Sequence, residues 1–282
     1  MFAEKLLIVD GHNLLFQMFY GMPATIFNKD GKAIHAVMGF VGALNKIIKS
    51  IKPTHVVVLF DGEHENDRKE LLAQYKANRI DYSQVPEEEN PFSQLPDVYN
   101  ALDYMKILHT ETDDCETDDV ISSYVSKYKD QMKIVISSFD SDFFQLIEDN
   151  VSVLRYRGKN SIICDSEYVL SKFNINSNVY ADFKALVGDN ADNIPGIKGI
   201  GPKTASLLIN KYTNVEGLIE NIDNIEKEKL RNVLKDNVSN LINFYKLIKL
   251  DNHAPIPFDI NELEYQASEY STMEVLAGIN LK

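Results

Sequence analysis

Three short apolar runs mark the first half of the chain, and each leads to an aspartate. Leu6-Leu7-Ile8-Val9 ends at Asp10, Val56-Val57-Val58-Leu59-Phe60 ends at Asp61, and Ile134-Val135-Ile136 is followed shortly by Asp140. These runs are continuous, β-branched and free of polar alternation, so they predict strands buried on both faces. Helical spacing separates them, over about residues 37–50, 95–107 and 117–128. In the last of these, Val120, Ile121, Tyr124, Val125 and Tyr128 recur on one face. Strands alternating with helices predict an α/β fold with a doubly wound, mostly parallel sheet and flanking helices. Ligands of such sheets meet the carboxyl ends of the strands, and that is where Asp10, Asp61 and Asp140 fall.

Residues 62–96 break this rhythm. They carry both charge signs and end in the acidic, proline-bearing Val85-Pro86-Glu87-Glu88-Glu89-Asn90-Pro91. They read as an arch-like excursion above the sheet, partly helical around Arg68 to Arg79. Val151–Tyr156 and Ser161–Cys164 flank Arg157-Gly158-Lys159-Asn160 and predict a hairpin. From about residue 178 to Leu250 the pattern is helical, with a helix at about 179–187 followed by a glycine-rich turn. From His253 onward the chain reads as a wrapping tail. Two portions are expected, a catalytic sheet over 1–175 and a helical portion over 176–282.

Composition narrows the class. Of 282 residues, 44% are hydrophobic, enough to form a core without cross-links. The uncharged hydrophobic stretch Ala33 to Asn45 is interrupted by glycines and is far shorter than the ~20 apolar residues a membrane span needs. The start of the chain carries no cleavable signal pattern. Cys115 and Cys164 give neither a disulfide framework nor a metal knuckle, so a cytoplasmic protein without membrane contact is expected. The formal charge of −13, from 42 acids against 29 bases, argues against a broadly basic nucleic-acid surface. Total charge does not locate the charges, however, and cations held by some of the acids would invert the local field.

Acids also cluster at Glu116-Thr117-Asp118-Asp119, at Asp142 two residues past Asp140, and at Asp189 and Asp192 within Gly188-Asp189-Asn190-Ala191-Asp192-Asn193. Hard divalent cations take carboxylate oxygens, water and substrate phosphate. A pair of such ions about 3.5–4 Å apart clamps the two oxygens of an in-line phosphoryl displacement. Each motif has an ordinary alternative, because acids favour the first turn of a helix and form caps and turns regardless of function. Placement around one sheet edge is what favours a metal site.

In chain order, LLIVDG (Leu6–Gly11), Phe60-Asp61-Gly62, Tyr75-Lys76-Ala77-Asn78-Arg79, Glu116-Thr117-Asp118-Asp119-Val120, Asp140-Ser141-Asp142 and Gly188-to-Gly196 (GDNADNIPG) resemble the blocks of the 5′-nuclease, or flap endonuclease-like, family. That family includes the N-terminal domain of bacterial DNA polymerase I and stand-alone phage and bacterial enzymes. The resemblance covers roughly residues 5–215 and implies a PIN-like sheet. It further implies a divalent-metal-dependent 5′-3′ exonuclease and structure-specific flap endonuclease that acts on DNA near free 5′ ends in replication and repair. Asp10, Asp61, Glu116, Asp118 and Asp119 would build a first metal site, Asp140 would lie between two sites, and Asp142, Asp189 and Asp192 would build the second. Two Mg²⁺ or Mn²⁺ ions are implied, and water activated by a bound cation would be the nucleophile. A stand-alone member rather than part of a polymerase is the expectation, and a monomer is the default one. The sequence departs from the family at Ser138-Phe139 (often Thr-Gly), Ser141 (often Lys), Thr117 (usually Ala) and Asp67 (often aromatic).

The resemblance also gives the basic residues roles. Lys76 and Arg79, expected on one helix face, would approach the scissile phosphate, and Arg68 and Tyr75 would contact DNA, Tyr75 by stacking on a base. Residues 193–211, with Gly196, Lys198, Gly199, Gly201 and Lys203, would form a helix-hairpin-helix on duplex phosphates, a motif that in the family also takes a monovalent cation such as K⁺. Without the resemblance, Lys76 and Arg79 read as solvated charges and Tyr75 as core. His12 is expected to have a structural or supporting role. A structure-binding protein without catalysis and an RNA-directed nuclease remain as alternative classes.

Overall fold

In the computed structural model, residues 4–62, 68–112, 115–266 and 270–282 are described. The three apolar runs form strands β1 (Lys5–Asp10), β2 (His55–Asp61) and, after a further strand, β4 (Lys133–Ser137). The extra strand, β3 (Leu108–Thr112), was missed because LHTET carries no apolar run; it sits at the sheet edge, half-exposed, and is held by parallel pairing to β2. The expected hairpin appears as β5 (Val151–Arg155) and antiparallel β6 (Ile162–Cys164). Strand order is β3-β2-β1-β4-β5-β6, with β1 to β5 all parallel.

That order places β1 between β2 and β4, so the winding direction reverses beside β1. A crevice opens at such a switch point beyond the carboxyl ends of the strands. The strand-end acids Asp10 and Asp61 therefore stand at a position that topology favours for a ligand.

Alternate residues of β1 feed two cores, as the period of a strand requires. Leu7 and Val9 pack with α1 (Gly11–Gly21), α2 (His35–Ile51) and α4 (Leu95–Tyr104). The short α3 (Arg68–Leu71) lies between β2 and α4 in the chain. Leu6 and Ile8 pack on the other face with α5 (Thr117–Tyr128). This second core continues past α6 (Ser166–Phe173) into α7 (Tyr180–Val187), α8 (Pro202–Tyr212), α9 (Val215–Glu220), α10 (Glu228–Asp236) and α11 (Val238–Ile248). One hydrophobic core thus joins the sheet to the helical part.

The tail does wrap. Phe258 exchanges hydrogen bonds with the Tyr124 hydroxyl, Glu264 bridges to His55, and Tyr265 N–H donates to the Thr54 carbonyl. It ends in α12 (Thr272–Gly278), whose Val275 and Leu276 are buried against the α2 and α4 layer. No helix among the described residues is long and apolar enough to cross a membrane.

Among the described residues up to Arg79, helix covers Arg68–Leu71 alone, where helix to Arg79 was expected, and short 3-10 turns follow at 82–84, 87–89 and 91–94. Lys76 adopts a left-handed backbone conformation (φ 54°) and its N–H donates to the Asp192 carbonyl, which takes this segment out of any helix. Asp67 lies outside the described residues.

Candidate active site

Asp10 is the last residue of β1 and caps α1: its carboxylate accepts from Asn13 N–H at 3.0 Å and from the Ser138 hydroxyl at 2.8 Å. The same hydroxyl accepts from Asp140 N–H at 3.0 Å, which couples the ends of β1 and β4. Asp61 accepts from Thr117 N–H at 3.1 Å, and its own N–H donates to His12 Nδ1 at 3.3 Å. Burial lowers the His12 pKa against the pull of Asp61 and Glu111, and the ring accepts the Asp61 N–H rather than facing a phosphate alone. These side chains, with Glu116 and Asp118, line one cleft of about 990 Å³ together with Lys76 and Arg79. Aromatic residues Phe16, Tyr82 and Phe92 form its opposite, apolar wall.

Clustering buried acids has an electrostatic cost that appears in their proton affinities. Burial, opposed by hydrogen bonds from Asn13 and Ser138 and reinforced by Asp140 and Asp61, raises the Asp10 pKa to about 7. Asp118 is pushed well above the carboxylate range by burial and by the neighbouring Asp140 and Asp10. Such carboxylates are poised for a cation that would take the place of protons.

Asp142, Asp189 and Asp192 converge separately, with one carboxylate oxygen of each lying within 4.8 Å of the others. Asp142 N–H donates to Asp140 Oδ1 at 2.8 Å, which links this trio to the first group. Burial raises the Asp142 pKa to about 7 despite Lys184. The Lys184 ammonium bridges Asp142 and Asp189 from inside the protein, reaching Asp189 Oδ2 at 2.5 Å. All three donors are hard carboxylate oxygens, so the trio suits a divalent metal, which would compete with the Lys184 ammonium for them. Lys184 was not among the residues singled out from the sequence. A lysine in an apolar helical run looks like a surface charge, and only its placement on α7 beside Gly188 turns it inward.

Several sequence-predicted residues sit differently from expectation. Lys76 and Arg79 share no helix face: Lys76 Nζ pairs with Glu116 at 2.6 Å and Arg79 with Asp192 at 3.1 Å, so they bridge the two acid groups. Arg68 is no exposed DNA contact, because its guanidinium pairs with Glu116 and Asp119 and is largely buried. Asp119 pairs with Arg68 and accepts Asp251 N–H at 2.9 Å, and it is not among the residues that line the cleft. Tyr75 is only 1% exposed, with its hydroxyl 3.4 Å from Glu116, so its ring packs in the core here and presents no open face. The loop between α7 and α8 spans 188–201, so residues 193–211, read from the sequence as a helix-hairpin-helix, hold the second part of that loop and most of α8. Gly196 is structural, since a Cβ there would come within 2.4 Å of the Val187 backbone, and φ is +66°. Lys198, Gly199, Gly201 and Lys203 are exposed around the start of α8, and Leu207, 67% exposed, follows on the same helix.

The architecture is that of an α/β domain whose switch-point crevice is lined with carboxylates, joined to a helical unit with exposed Lys198 and Lys203 around the start of α8. The chain belongs to the 5′-3′ exonuclease family: residues 5–174 match the family's N-terminal resolvase-like domain and residues 175–271 its C-terminal SAM fold. It is 31% identical to a 5′-3′ exonuclease of Aquifex aeolicus, over 98% of this chain and 96% of that protein. It is 32% identical to DNA polymerase I of Bacillus subtilis over 93% of this chain, and spans only 30% of that longer relative. Among solved structures, the T5 D15 protein crystallised with metal ions aligns with a TM-score of 0.71 and 25% identity, over 87% of this chain and 89% of that one. The same flap endonuclease has also been solved as a pseudo-enzyme-product complex with DNA and metal ions.

Proposed function

We propose that the protein hydrolyses phosphodiester bonds of DNA near free 5′ ends, as a 5′-3′ exonuclease and flap endonuclease serving replication and repair. The observation that carries this reading is the gathering of Asp10, Asp61, Glu116, Asp118 and Asp140 at the switch-point cleft, next to the Asp142–Asp189–Asp192 trio. Relatives named 5′-3′ exonuclease, and the T5 flap endonuclease solved with DNA and metal ions, support it.

Asp10, Asp61, Glu116 and Asp118 would hold one Mg²⁺ or Mn²⁺, the trio the other, with Asp140 between them. Bound there, such ions lower the pKa of water and neutralise charge on a phosphoryl group. Lys76 and Arg79, on the cleft wall, bring positive charge to where a phosphate would build negative charge. Ser138 and Asn13 hold Asp10 against rotation, and Thr117 N–H does so for Asp61. The exposed Lys198, Lys203 and the N-terminus of α8 would meet the duplex backbone, with K⁺ in the preceding loop. We assign catalysis to residues 1–175 and duplex gripping to 176–282, in a cytoplasmic monomer.

Cleavage of a 5′-labelled flap duplex in Mg²⁺ tests the reading, with Asp142→Ala and EDTA in parallel. Cuts near the flap junction, lost in both controls, are expected. Tight flap binding without cleavage in Mg²⁺ or Mn²⁺ would overturn it.

A further inference from the structure

Phe139 lies between Ser138 and Asp140, and the cleft described above makes no use of it. Its ring is half-buried and lies under two arginines: the Arg157 guanidinium is 5.0 Å from the ring centre and that of Arg155 is 6.0 Å. Arg155 also donates to the Phe139 carbonyl at 2.9 Å and lies 4.7 Å from the Phe144 ring, which roots it in the protein. Gln17 ties the hairpin to α1 by donating to the Tyr156 carbonyl at 2.5 Å. Arg157 leaves the strand two residues beyond β5, which is parallel to β4. It therefore stands at the same carboxyl edge of the sheet as Asp10, Asp61 and Asp140.

The charge environment is unusual. Acids outnumber bases by 13, and the chain has only five arginines. Arg68 and Arg79 are paired with carboxylates. Neither Arg155 nor Arg157 forms an ion pair with a carboxylate among the described residues, and Lys159 follows, exposed, at the hairpin tip. An arginine resting on an aromatic ring is held in place while its outward N–H groups stay available, and its planar fork suits phosphate.

We infer that the Phe139–Arg157 pair is a phosphate-binding clamp on the rim of the cleft, gripping the backbone of a nucleic-acid strand that passes the Asp140 end. This inference rests on the nuclease reading. It adds a contact on the β5–β6 side, separate in the chain from Lys198 and Lys203 around the start of α8. Contact with backbone phosphate carries no base information, so the effect is independent of sequence.

The test is fluorescence anisotropy of a labelled 5′-flap DNA in Ca²⁺ over a series of NaCl concentrations, with melting curves to confirm folding. Each phosphate neutralised contributes about 0.9 to the log–log salt slope on duplex and about 0.7 on single strands. Arg157→Ala is expected to weaken binding several-fold for two unrelated flap sequences alike and to reduce the slope by about that amount. Arg157→Lys keeps the slope, Phe139→Ala weakens affinity without changing it, and Lys49→Ala, at the exposed end of α2, changes neither. In Mg²⁺, Arg157→Ala should raise KM for flap cleavage and leave kcat unaltered. Wild-type affinity and slope in Arg157→Ala would overturn the clamp while leaving the nuclease reading intact. A wild-type protein that binds no flap DNA would remove the underlying reading, and the clamp with it.

Discussion

Lys184 and Asp189, on either side of the end of α7, meet at 2.5 Å, and the same ammonium reaches Asp142. Burial works against a charged lysine, yet Asp142, Asp140 and Asp189 hold it protonated above its ordinary value. Its side chain and that of Asp142 are each 8% exposed. Removing one partner of a buried ion group leaves the others uncompensated, at about 3–5 kcal/mol. Lys184→Met should therefore lower the melting temperature sharply in EDTA, with part of the loss recovered in Mg²⁺, which would supply the missing charge. Paired thermal melts check this; an equal loss in both buffers would show that no cation enters the trio.

The metal-free protein should lose stability as pH rises across the neutral range. The Asp10 and Asp142 pKa values are raised to about 7, whereas an unfolded aspartate titrates near 3.9. Between those values the folded state binds more protons than the unfolded one, so unfolding free energy falls with pH. Below the unfolded value the effect is absent, and above about pH 7 it is complete. Melting temperatures in EDTA should drop from pH 5 to pH 8, and Mg²⁺ should flatten the trend, because cation binding competes with protons. Asp10→Asn should likewise be more stable than the wild type in EDTA at pH 8, and inactive.

Lys76 and Arg79 should not be equivalent. The Lys76 side chain is 10% exposed against Glu116, and that of Arg79 is 53% exposed against Asp192. Charge in a water-poor site is screened less. Lys76→Ala should reduce flap cleavage by about 100-fold, on the scale of losing one transition-state donor. Arg79→Ala should cost less and grow weaker still as salt is raised. Single-turnover rates at two ionic strengths separate the pair, and equal losses would argue against the burial difference.

Gly196→Ala tests the loop that carries Asp189 and Asp192. Its positive φ and its approach to Val187 and Gly188 leave no space for a methyl group. Substitution should displace the 188–196 turn, closed by the paired Asp189 and Ile194 hydrogen bonds, with a lowered melting temperature and lost cleavage. Alanine at Gly199, where φ is also positive but the surroundings are open, should cost less stability in the same melts.

Within the sequence alone, the buried strands, their order of appearance and the strand-end acids were determined. Continuous apolar runs have one physical outcome, burial on both faces of a sheet, and topology then brings their ends to one edge. The hairpin, α2, α5 and the wrapping tail were legible for similar local reasons. Side-chain direction was not. Tyr75 became core, Asp119 turned to Arg68, and Lys184 turned inward, because each depends on which partner arrives from a distant segment. Strand β3 was invisible because its stability comes from pairing with β2, and the missing helix at Lys76 was decided by its hydrogen bond to Asp192. Local sequence thus set where the carboxylates would gather, while long-range packing and charge pairing decided which of them face the cleft.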